Sequence, residues 1–131
     1  MRLKPSARLS PWTSMLTAVA LCLPGLGQTQ TFPDKPITFI VPFGAGSATD
    51  QLARTIAQGV TLQTKQSVVI DNKPGANAFI GAQTAKAAKA DGYTVFITTN
   101  TTQAANEHLF KKLPYDPVKD FAPVTGLGKG G

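Results

Sequence analysis

Few side chains in this sequence have the chemistry to act on another molecule, and their types narrow what the chain can do. General acid–base work would have to rest on Asp50, Asp71 or His108, the only histidine. His108 has no cysteine or carboxylate motif at metal-ligand spacing around it, so it reads as a surface or packing residue. Ser47 lacks the elbow pattern that exposes a nucleophile, and His108 lies more than 60 positions away. No catalytic constellation is present, and the chain reads as something other than an enzyme. What remains is three short segments rich in glycine, hydroxyl and amide residues: Phe43-Gly44-Ala45-Gly46-Ser47-Ala48-Thr49, Pro74-Gly75-Ala76-Asn77 and Thr99-Asn100-Thr101-Thr102.

The first segment carries the clearest chemistry. Ser47 followed by Asp50 has a capping-box layout, with Asp in place of the usual Glu or Gln, and places a helix start near Ala48. The amides there, at the positive end of the helix dipole, suit a small anion. No Lys or Arg lies between Pro36 and Gln51, so binding here would use backbone N–H groups and hydroxyls. The plainer alternative is that Gly44 and Gly46 only permit a turn and Ser47 only caps a helix; this stretch by itself leaves both readings open. A dinucleotide fingerprint fails because its third glycine falls at Thr49. A phosphate loop at Gly128-Lys129 fails because Pro123 stands where its first Gly belongs and Gly130 where Ser or Thr is required. No cofactor is expected. Asn100-Thr101-Thr102 is formally a glycosylation acceptor and reads as polar loop.

Elements of regular structure must position these segments. Ile37-Thr38-Phe39-Ile40-Val41 is a short β-branched and aromatic run closed by Pro42, a buried strand. Leu52, Ile56 and Val60, with Ala53 and Ala57, form one apolar helix stripe, which Gly59 and the polar run Gln63-Thr64-Lys65-Gln66 should close. Val68-Val69-Ile70 predicts a second strand. Asn77 sits where a cap would open an alanine-rich helix through Phe79, Ile80, Ala82, Ala85 and Ala88. Tyr93–Thr98 predicts a third strand, Asn106–Phe110 a short helix, and Phe121–Thr125 a fourth strand. The pattern is βαβαβ, an α/β fold with a parallel sheet and right-handed crossovers. All three polar segments, the second running from Asn72 to Asn77, then emerge at the carboxyl edge, where open α/β sheets bind ligands.

The N-terminus reads as a leader. Arg2, Lys4 and Arg8 precede an apolar Met15–Leu23, and Gly25-Leu26-Gly27 offers small residues for cleavage before Gln28. The apolar stretch is shorter than the roughly 20 residues a spanning helix needs. Residues 1–27 are thus expected to be a signal peptide, 28–125 a substrate-binding lobe and 126–131 a Gly-rich tail, with a periplasmic location. A lipoprotein reading of Cys22 is disfavoured by Leu21 before it. Removing the leader lowers the formal charge from +6 to +3, because it holds three of the 13 basic residues and none of the seven acids. The remaining lysines are scattered without aromatic interleaving, which argues against nucleic acid. Cys22 is the only cysteine, so the mature chain can form no internal disulfide.

Several segments in order resemble a known family: Val41-Pro42-Phe43-Gly44-Ala45-Gly46-Ser47-Ala48-Thr49-Asp50; Val69-Ile70-Asp71-Asn72-Lys73-Pro74-Gly75-Ala76-Asn77; Lys89-Ala90-Asp91-Gly92-Tyr93; and Leu113-Pro114-Tyr115-Asp116-Pro117-Val118-Lys119-Asp120-Phe121-Ala122-Pro123-Val124. The chain is similar to the Bug/TctC proteins, the periplasmic solute-binding components of tripartite tricarboxylate transporters. The resemblance implies a two-lobed periplasmic-binding fold, a small carboxylate ligand, and the transporter's membrane components as partners. It also implies ligand-binding roles for Phe43, Gly44, Ala45, Gly46, Ser47, Ala48, Thr49, Gly75, Ala76, Asn77, Thr99, Asn100, Thr101 and Thr102. Family loops often read Gly-Gly where this chain has Gly46-Ser47, and family members run on into a second lobe. A truncated first lobe is therefore the expectation, and its rivals are an exported interaction remnant without ligand binding or an exported α/β enzyme.

Overall fold

The computed structural model describes residues 31–128. The leader and the end of the Gly-rich tail lie outside the described residues. Strand β1 (Ile37–Val41) is followed by helix α1 (Ala48–Thr64), β2 (Val68–Asn72), α2 (Phe79–Ala87), β3 (Thr94–Phe96) and the short α3 (Asn106–Leu109). A single 3-10 turn, Ala76–Ala78, precedes α2, and a π-helical turn, Thr101–Ala105, runs into α3. The strands form one parallel sheet in the order β2-β1-β3. This is the α/β βαβαβ class that the alternation of apolar runs predicts.

The central position of β1 follows from its composition. Ile37, Phe39, Ile40 and Val41 are all buried, as a strand covered on both faces requires. Its register pairs Phe39 with Ile70 on one side and Val95 on the other. The chain moves one way from β1 to β2 and back across β1 to β3, so right-handed crossovers place α1 and α2 on opposite faces. Ile37, Phe39 and Val41 cluster with Ala53 and Ala57 of α1 and with Ile97. Burial of each large apolar side chain in this cluster contributes ~1.5–3 kcal/mol. Ile40 and Pro42 alternate to the other face, and there the approach is close. A Cβ added to Gly81 of α2 would lie 2.7 Å from Pro42 Cβ and 2.9 Å from Pro42 Cα.

Four local expectations need correction. Gly59 does not help to close α1, which runs through it to Thr64 and ends on Lys65 in the left-handed region, φ 61°. Leu52 does not join the buried stripe and is 41% exposed; the small Ala53 and Ala57 make the close contact. The third strand is three residues long, Thr94–Phe96, with the Tyr93 carbonyl and the Ile97 amide adding one hydrogen bond to β1 at either end. No fourth strand forms among the described residues. Residues 121–128 have no regular structure, since Pro123 offers no amide and no neighbouring strand stands beside them among the described residues. Phe121 instead packs its ring on Phe96, with centroids 5.4 Å apart.

Candidate functional site

The three polar segments converge at the carboxyl edge of the sheet, beside the point where strand order reverses. They enclose a cavity of about 320 Å³. Pro42, Phe43 and Gly44 form one wall, Pro74, Gly75, Asn77 and Ala78 a second, and Thr99, Thr101 and Thr102 a third. None of these residues is charged. A broader depression lined by Lys86, Glu107 and the 110–117 turn lies elsewhere and is largely open to solvent.

Two buried polar clusters fix these walls. The first is centred on Asp50, which is 1% exposed. Its Oδ2 accepts from the Gly46 amide at 2.8 Å and from Arg54 Nε at 2.9 Å, and its Oδ1 accepts from Asn72 Nδ2 at 2.9 Å. The same Asn72 nitrogen donates to the Phe43 carbonyl at 3.0 Å, which ties the end of β2 to the first loop. The Arg54 guanidinium, then the Gly46 and Asn72 donors, hold the Asp50 carboxyl down at about 2. The capping arrangement is present in altered form. Ser47 Oγ accepts from the Asp50 amide at 3.2 Å, but the return arm reaches Gly46 N–H, while Ser47 N–H donates to the Gly44 carbonyl at 3.2 Å. One loop amide is thus taken by the chain's own carboxylate. Those of Ala48 and Thr49 have no partner among the described residues.

The second cluster joins the other two walls. Residues 75–78 all have positive φ: Gly75 118°, Ala76 45°, Asn77 52° and Ala78 71°. For the two alanines this is a strained conformation. Asn77 does not cap α2, because the cap position falls on Ala78 and no side chain bonds there. Its carbonyl accepts instead from Asn106 Nδ2 at 3.1 Å. That nitrogen also donates to the Tyr115 hydroxyl at 3.2 Å, which donates to the Thr102 carbonyl at 2.6 Å. Asn106, Thr102 and Tyr115 are all buried, and Phe79 and Phe121 meet the Tyr115 ring edge-on. The Thr98 and Thr99 hydroxyls and Gln103 Oε1 are buried without a hydrogen-bond partner among the described residues.

Of the residues singled out in the sequence, Phe43, Gly44, Gly75, Asn77, Thr99, Thr101 and Thr102 line the cavity, whereas Ala45, Gly46, Ser47, Ala48, Thr49, Ala76 and Asn100 do not. Gly46 takes φ 84° with open space where its Cβ would be. Asn100 accepts from the Thr101 amide at 2.9 Å. Asn72 lies in the segment 72–77 expected at the sheet edge but has no expected ligand role, and Asn106 and Tyr115 have none either. Tyr115 had a signal in its position between two prolines, but an isolated Asn106 had none.

A parallel α/β sheet with a neutral, amide- and hydroxyl-rich cavity at its switch point is the arrangement in which open α/β folds bind ligands. Comparison with known proteins agrees. Residues 52–130 match the family described as the tripartite tricarboxylate transporter family receptor, TctC. A UPF0065 protein of Bordetella bronchiseptica is 41% identical over 107 residues, which is 82% of this chain and 32% of that protein. A solved structure described as a periplasmic transporter is 47% identical with a TM-score of 0.69, covering 72% of this chain and 32% of the other. MatC of Rhodopseudomonas palustris, solved with bound malate, is 38% identical with a TM-score of 0.68, covering 71% and 32%. The chain belongs to the tripartite tricarboxylate transporter receptor family. It spans about a third of the length of the relatives it matches.

Proposed function

We propose that this chain carries one wall of an extracytoplasmic binding site for a small carboxylate, delivered to the membrane components of a tripartite tricarboxylate transporter. The observation that carries the reading is the convergence of three polar loops on one uncharged cavity. Backbone N–H groups and threonine hydroxyls can satisfy a carboxylate there without a basic side chain, as charge-assisted hydrogen bonds do at helix termini. The malate bound by MatC is a ligand of the same class. Export follows from the leader at residues 1–27, and a lobe spanning 28–125 presents the cavity.

In a two-lobed cleft a ligand is covered from both sides, and closure excludes competing water. If an opposing lobe supplies ~4 kcal/mol of binding free energy, one wall alone binds roughly a thousandfold more weakly. A micromolar site then becomes a millimolar one.

Ligand-observed NMR with a panel of di- and tricarboxylates and their methyl esters tests the reading. Saturation transfer to free acids such as malate, competed by other acids and not by the esters, supports it. Equal transfer to the esters refutes carboxylate recognition.

A further inference from the structure

We infer that Asn106 is a positioning residue: it latches the left-handed run Gly75–Ala78 against the Thr101–Thr102 wall and so holds two sides of the cavity in fixed relation. The inference rests on the proposed binding role for the cavity's purpose, but its geometry is independent of any ligand. Four consecutive residues with positive φ are unfavourable for a chain containing Ala76 and Ala78, and such strain persists only where surrounding contacts enforce it. Within the turn, Ala78 N–H donates to the Gly75 carbonyl at 3.0 Å and Phe79 N–H donates to the Ala76 carbonyl, which leaves the Asn77 carbonyl to be met from outside. The contact from outside is Asn106 Nδ2 on the Asn77 carbonyl. Asn106 lies 29 positions further along the chain and is 1% exposed. Its amide is oriented by the Tyr115 hydroxyl, which is itself committed to the Thr102 carbonyl. One buried amide therefore spans the second and third walls, and a tyrosine from the Pro114–Pro117 turn locks it.

A residue that merely fills space would, when removed, loosen the whole lobe. A latch loosens the turn first. Hydrogen exchange on the ligand-free chain separates these outcomes, with the Ala78 amide reporting the turn and the Ile97 amide, bonded to the Ile40 carbonyl at 2.9 Å, reporting the sheet. Asn106→Ala should speed Ala78 exchange by about tenfold, the equivalent of one buried hydrogen bond, and leave Ile97 within about twofold. Adding Ala76→Gly, which accepts positive φ without strain, should restore most of the Ala78 protection; lost packing alone would not be rescued this way. Tyr115→Phe keeps the ring and removes only the hydroxyl that orients Asn106, so it serves if Asn106→Ala does not fold. It should speed Ala78 exchange severalfold with Ile97 unchanged. Ala78 exchange that is unchanged, or that rises only in step with Ile97, overturns the latch. Failure of the unmodified chain to bind malate counts against the proposed function and leaves this result untouched.

Discussion

The same substitution, Gly→Ala, should have opposite effects at two helix positions. At Gly59, inside α1, a Cβ meets nothing within 4 Å, so only backbone entropy changes. Ala is favoured over Gly in a helix interior by ~1 kcal/mol. At Gly81, inside α2, the new carbon would sit 2.7 Å from Pro42 Cβ, 2.9 Å from Pro42 Cα and 3.4 Å from the Lys73 carbonyl. Carbon atoms rest at about 3.5–4.0 Å, so helix and strand must part by roughly 1 Å. Pro42 is fully buried with a rigid ring, and cannot turn aside as a flexible side chain would. Overpacking of this kind costs up to ~3 kcal/mol. Less the ~1 kcal/mol helical gain, the net loss is about 2 kcal/mol. For a lobe of this size that lowers the unfolding midpoint by about 8–16 °C, while Gly59→Ala raises it by about 4–8 °C. Thermal unfolding followed by far-ultraviolet circular dichroism reads both. A Gly81→Ala midpoint at or above the unmodified chain's would refute the close packing of α2 on Pro42, and with it the rigidity of the first cavity wall.

The remaining predictions concern charge, loop and processing. Because Asp50 titrates at about 2, below the ordinary 3.8, its contribution to stability is complete above about pH 4 and is lost as pH falls toward 2. Asp50→Asn should therefore lower stability at neutral pH and flatten the acid limb of an unfolding-midpoint profile. Some slope should survive, because backbone and lysine partners also lower Asp91, Asp116 and Asp120; an unchanged acid limb would remove Asp50 from the account. In a full-length relative carrying this loop, Gly46→Val should weaken carboxylate binding, since a branched residue resists φ 84° and displaces the first loop from its bond to Asp50, although Gly46 itself lies outside the cavity lining; unchanged affinity by calorimetry would take the loop out of the site. Mass spectrometry of periplasmic product should find an N-terminus near Gln28, and an intact Met1 in soluble material would contradict the leader.

How far the sequence was readable varied with the range of the interaction concerned. The strand β1, the start of α1 at Ala48 and the meeting of three loops at one edge were legible, because apolar runs, a capping pair and strand–helix alternation are local signals. Gly59 misled because a glycine in a helix is a weak stop when Ala57 and Val60 on either side of it are packed on a sheet. Phe121–Thr125 misled because an apolar run becomes a strand only beside another strand. Asn77 has the composition of a cap, yet its role is set by Asn106, 29 positions away. The Asp50–Asn72 bond spans 22 positions, and neither partner's spacing announced it.

Amide-resolved NMR titration of the chain with malate tests the central claim most directly. Shifts should concentrate on the cavity lining, residues 43–44, 75–78 and 99–102, saturating with a dissociation constant of about a millimolar or weaker. Shifts centred on the depression at Lys86 and the 110–117 turn, or none beyond those that sodium chloride produces at about ten times a millimolar constant, would contradict it.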